Sequence, residues 1–223
     1  MQFDAGYAAP VARDTFAWFR ADMPTFAIIY GILIATGVAY DAVVIRYPDW
    51  FIAVQFALIA VNLFLQAWTT LTILRLASVP LPQSAKSRIA GVFGVGLLFG
   101  LGVGFGLLLL ILPGIYFAAR WYLAVPILLA EDSAVSEALS ASWARTERYW
   151  LSCAMIAVLA FVWQMVPLAA TEFVRLPDDD TVFLWLLLSN ALSQAGWLFG
   201  VAAATTLFLA FGKRQSTTAE IFG

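Results

Sequence analysis

Apolar residues fall in six long runs along this chain, at about residues 24–45, 50–77, 89–112, 115–130, 150–171 and 182–212. Five of them reach the ~20 residues that carry a helix across a bilayer, and the fourth falls a little short. The polar positions between them are not uniform, and two stretches show helical patterning. Over about residues 11–22, Phe16, Phe19 and Met23 recur at i, i+3 and i+7, with Arg13 and Arg20 on another face. Over about residues 133–148, Val135, Leu139 and Trp143 form an i, i+4, i+8 stripe. Glu137 lies in its first turn, and Arg145 and Arg148 in its last, as the helix dipole favours. The pattern predicts an all-α integral membrane protein, a single polytopic domain of about six transmembrane helices plus two interfacial amphipathic helices. Such helices serve as connectors on the headgroups or as docking surfaces.

Composition narrows the chemistry. Hydrophobic residues make up 63% of the chain and charged residues 12%, about half the share of a soluble domain. The net charge of −2 is spread thinly, so nucleic acid has no footprint here. Histidine is absent, which removes the commonest general base and metal ligand. The one cysteine, Cys153, sits in an apolar run and reads as a small buried hydrophobe. Asp178–Asp180 reads as a solvated acidic loop. No enzyme activity, cofactor or metal is expected. The first ten residues hold no basic stretch leading into a short apolar core, so no cleaved signal peptide is expected.

The basic residues orient the chain. With six spans, one side holds Arg13, Arg20, Arg75, Lys86, Arg88, Arg145, Arg148, Lys213 and Arg214, and the other holds Arg46 and Arg175. Nine against two places both termini in the cytoplasm by the positive-inside rule.

Three patterns inside the runs suggest packing or function. Gly96, Gly100 and Gly104 repeat at i, i+4 and i+8, with Gly102 and Gly106 forming a second ridge. Such ridges let helices approach closely, within the chain or as a seam between subunits. Asn62 and Gln66 in the second run, and Asn190 and Gln194 in the sixth, share the pattern Asn-x-x-x-Gln-Ala. They read as interhelical hydrogen-bond donors and acceptors or as the lining of a polar path. Arg120 lies within the fourth run, roughly 7 Å beyond the Pro113–Gly114 break by the ~1.5 Å helical rise. From there it can snorkel to the outer interface, pair with Asp41 or Glu172, or bind a lipid phosphate beside Tyr116 and Trp121.

Residues 107–150 carry an ordered set: Pro113–Gly114, Ile115–Tyr116, Arg120, Pro126, Glu131, Ala138–Leu139, Ser142–Trp143, Thr146 and an aromatic pair at Tyr149–Trp150. This set resembles the membrane domain fused to some glycerophosphoryl diester phosphodiesterases and the related YciC-like bacterial inner-membrane proteins. The motif-bearing part covers about a fifth of the chain. The resemblance implies a bacterial inner-membrane module rather than the hydrolase, whose soluble barrel of ~250 residues has no room here. Pro113–Gly114 is expected to form the turn between the third and fourth spans, with a partly inserted helix pair as the alternative.

The expected function is therefore a non-enzymatic, lipid-interacting membrane protein that self-associates into a homo-oligomer contacting or enclosing phospholipid. A small permease or channel using the amide stripes is the alternative.

Overall fold

In a computed structural model, residues 8–83, 88–109, 111–171 and 179–222 are described, and among them the chain is helical without strands. The helices are α1 (Ala8–Ala21), α2 (Met23–Arg46), α3 (Phe51–Leu76), α4 (Ile89–Leu109), α5 (Ile111–Arg120), α6 (Ala124–Ala130), α7 (Val135–Thr146), α8 (Trp150–Thr171) and α9 (Asp179–Phe222). Six segments are long and apolar enough to cross a membrane: Met23–Arg46, Pro48–Leu76, Ile89–Leu109, Ile111–Ala130, Trp150–Pro167 and Thr181–Gly212. Their bounds follow the six apolar runs closely. A helix is the natural result, because in hydrocarbon every backbone N–H and C=O must bond within its own segment. Both amphipathic stretches are helices, α1 and α7.

Long-range side-chain contacts fix one end of the bundle. Thr15 bonds Thr206 (3.2 Å), Thr205 bonds Thr70 (3.5 Å), and the Tyr149 and Phe211 rings stack at 4.7 Å. Arg75, Arg88 and Arg145 lie at or next to this end, which is called the basic end below. Toward the opposite end, the Asn190 amide donates to Asp41 (2.6 Å), and Trp163 Nε1 donates to the Leu192 carbonyl (2.9 Å).

α3, α4, α5, α8 and α9 each touch the next, and α3 meets α9, so the five close a ring. α2 packs outside it against α3 and α9. α6 packs against α3, α4 and α9 and is buried from Ala124 to Leu129, so it plugs the ring toward the basic end. α7 lies beneath, against α4, α5 and α6.

The amphipathic helices face inward more than a headgroup-lying connector would. α1 crosses α9, burying Val11 and Thr15, while Phe16 and Met23 stay exposed. Its inward face is thus Val11, Thr15 and Phe19 rather than Phe16, Phe19 and Met23. α7 buries Ala138, Leu139, Ser142 and Thr146.

Two details of the third and fourth runs differ from expectation. Pro113–Gly114 is not the turn: both residues lie in the first turn of α5, where proline's missing N–H leaves no bond unmade. Gly114 serves contact instead. A Cβ built on Gly106 would sit 2.7 Å from the Gly114 Cα, so α4 and α5 touch backbone to backbone. The fourth run is also not one helix, because it breaks between Arg120 and Ala124.

Candidate functional site

The ring encloses an apolar chamber of about 470 Å³, within the range of ligand pockets. Val95, Val125, Val201 and Ala204 form its buried floor. Leu107, Ile111 and Phe161 line it too, yet are largely exposed, so they mark its open rim. Trp121 and Tyr122 sit on its wall, and the Tyr122 hydroxyl donates to the Gly200 carbonyl at 2.6 Å. Gln66 and Gln164 supply side-chain amides, with Gln164 Nε2 donating to its own helix at Ala160 O (3.2 Å). A second apolar groove of about 590 Å³ runs between α1–α2 and α8–α9, lined by Phe16, Phe19, Met23, Tyr30, Trp163 and Leu198 among others. The stripe read from α1 therefore lines a groove rather than a packed seam.

Behind the chamber wall lies the helix break. Ser142 Oγ on α7 donates to the Arg120 carbonyl (2.8 Å) and accepts from the Leu123 N–H (3.2 Å). Thr146 Oγ1 lies 3.1 Å from the Arg120 carbonyl as well, sharing its one proton with the nearer Ser142 carbonyl of its own helix at 2.8 Å. Two hydroxyls thus replace part of the interrupted helical ladder, which is how non-helical backbone is tolerated at membrane depth. α7 is held in turn by its own first turn, where Glu137 accepts from the Ala134 N–H (2.8 Å). Glu131 accepts both Arg145 guanidinium bonds at 2.5 and 2.6 Å, and Arg88 pairs with Asp132 at 2.6 Å.

Arg120 is 4% exposed, so it does not snorkel. Its guanidinium carbon lies 4.5 Å from the Trp143 ring centroid and 5.7 Å from that of Tyr116. Tyr116 stands edge-on to both Trp143 (5.5 Å) and Trp150 (5.6 Å). Among the described residues no carboxylate pairs with Arg120, and its buried Nε has no hydrogen-bond partner. Asp41 is not its partner, being bonded by Asn190, and Glu172 lies outside the described residues, as do Arg175 and Asp178. Trp121 lines the chamber and Arg120 and Tyr116 lie off its wall, yet all three meet Trp143, whose ring is 6.3 Å from that of Trp121. Several residues that carry the family resemblance, Tyr116, Arg120, Ser142, Trp143 and Thr146, come together here although up to 30 positions separate them (146 − 116).

The glycine ridge and the amide stripes also divide. A Cβ on Gly96 would meet Leu63, but at Gly100 and Gly104 it would meet nothing within 4 Å among the described residues. Intrachain packing falls to the second ridge, with Gly102 against Trp121 and Gly106 against Gly114. Asn190 and Gln194 face α2 at Gly37, where a side chain would overlap the Asn190 amide. Gln66 faces the chamber, whereas Asn62 does not line it and buries an unpartnered Oδ1. The two Asn-Gln pairs share a local pattern and do not share a path. Cys153 is buried, as its apolar neighbours suggested. Among the described residues no three His, Cys, Asp or Glu side chains converge. No protein-family model, curated protein or solved structure matches this chain.

Proposed function

We propose that this protein is a non-enzymatic lipid-holding membrane protein, with an acyl chain as the occupant of the central chamber. The observation that carries this reading is the chamber itself: apolar walls, a closed floor at α6 and a rim of exposed Leu107, Ile111 and Phe161. A water-filled path would need polar groups through its depth, whereas this cavity carries them at Gln66, Gln164 and Tyr122 only on its wall. The polar stripes on the second and sixth spans lie apart, Gln66 at the chamber and Asn190 and Gln194 against Gly37, which supports the lipid reading over the permease.

Self-association belongs to the same proposal. A Cβ on Gly100 or Gly104 would meet nothing within 4 Å among the described residues, which leaves that face of α4 available to a second copy. Basic residues numbering nine against two favour cytoplasmic termini, and the resemblance carried by residues 107–150 favours a bacterial inner membrane.

The test fills the chamber. Ala118→Trp and Ala157→Trp place a large ring into it from α5 and α8 respectively. Lipid extracted from each purified protein is counted by mass spectrometry. Folded variants should retain fewer phospholipids per subunit than the parent. Unchanged retention in both overturns the chamber as a lipid site.

A further inference from the structure

We propose that the Arg120 cage is an oxyanion site, built to take one phosphate group from a phospholipid headgroup or from inorganic phosphate. It does not rest on the chamber, since Arg120 and Tyr116 lie off the chamber wall.

A guanidinium has five in-plane N–H donors and two flat faces. Here the Trp143 and Tyr116 rings, set perpendicular to each other, lie over the guanidinium at 4.5 and 5.7 Å, while its buried Nε has no hydrogen-bond partner among the described residues. The acids that could have served are engaged elsewhere: Glu131 with Arg145, Asp132 with Arg88 and Asp41 with Asn190. The Arg120 carbonyl is bonded by Ser142 and Thr146, so the side chain has no helix-capping duty either. A buried cation left this way is disfavoured, and ring contacts alone satisfy none of its hydrogen bonds. The missing component is an anion that meets the edge of a planar fork, which calls for two oxygens on one centre. A phosphodiester fits better than a carboxylate. It is the stronger acid and keeps its charge where desolvation neutralises a carboxyl group. Tyr116 is 37% exposed and forms the open side of the cage.

The protein is delipidated in a maltoside detergent and its thermal midpoint is measured in four conditions. Phosphatidylglycerol is compared with diacylglycerol of the same chains, and inorganic phosphate with chloride at equal ionic strength. A rise of several degrees with phosphatidylglycerol alone assigns a lipid headgroup, and a rise with inorganic phosphate assigns a free anion. Arg120→Met should abolish either rise. It should also match or exceed the parent midpoint without ligand, because it removes an unpaired buried charge. Arg120→Lys should keep part of the rise. The proposal is overturned if the parent shows no phosphate-dependent rise, or if Arg120→Met shows the same one. It is also overturned if Arg120→Met and Arg120→Lys both melt far below the parent or fail to fold, since the guanidinium then serves only to bind the aromatic rings together.

Discussion

Replacing Gly106 with alanine should loosen the α4–α5 pair. The new Cβ would lie 2.7 Å from the Gly114 Cα and 2.8 Å from its nitrogen, both backbone atoms. No rotamer relieves that contact, so the two helices must part. Overpacking of this kind costs about 1–3 kcal/mol. The same substitution gains up to about 1 kcal/mol of helix propensity on the aqueous scale, which blurs a single measurement. Gly104→Ala supplies the reference, because a Cβ there meets nothing within 4 Å among the described residues and the propensity gain is shared. The difference between the two variants isolates the clash, roughly 5- to 150-fold in the unfolding equilibrium at about 1.4 kcal/mol per decade. Unfolding by sodium dodecyl sulfate in mixed micelles, followed by tryptophan fluorescence, reads it directly. A Gly106→Ala protein as stable as Gly104→Ala would refute backbone contact at this point.

Gly100→Leu should leave the subunit as stable as the parent while lowering the oligomer seen by native mass spectrometry; an unchanged oligomer removes α4 from any seam. Ser142→Ala should destabilise the fold by about 1–3 kcal/mol, because it strips a donor from the Arg120 carbonyl and leaves the buried Leu123 N–H unpaired. A stability within a few tenths of a kcal/mol of the parent would show that the break closes without α7. For orientation, cysteine at Asp49 should react with an impermeant maleimide added outside intact cells, whereas cysteine at Ser136 should react only after lysis. Cys153 is buried and contributes little background. The opposite labelling pattern inverts the topology.

The six apolar segments were legible because a bilayer demands length and apolarity together, and both can be read from local sequence. The break after Arg120 was not, since Trp121, Tyr122 and Leu123 include neither glycine nor proline. Its support comes from hydroxyls on a helix some twenty residues later. One trace was visible: Ser142 and Thr146 lie on the same face of α7 as Val135 and Leu139, an odd place for two hydroxyls on an apolar stripe. Pro113–Gly114 misled because the pair suits either a turn or the start of a helix packed at close range. The glycine repeat gave the periodicity of a face without saying what that face meets. Likewise, Asn62 and Asn190 have the same local spelling, and only their neighbours on other helices distinguish them.

The dependence of the break on α7 also sets an order of events during synthesis. When residues 111–130 first enter lipid, Ser142 and Thr146 have not yet been made or have not left the ribosome. At about 5–20 residues per second, the 26 positions from Arg120 to Thr146 take roughly one to five seconds. Through that interval the fourth segment either holds its broken backbone groups unpaired at several kcal/mol or waits beside the insertion machinery as an unbroken helix. A chain arrested before Ser142 should therefore crosslink to that machinery longer than one arrested after Thr146 has emerged.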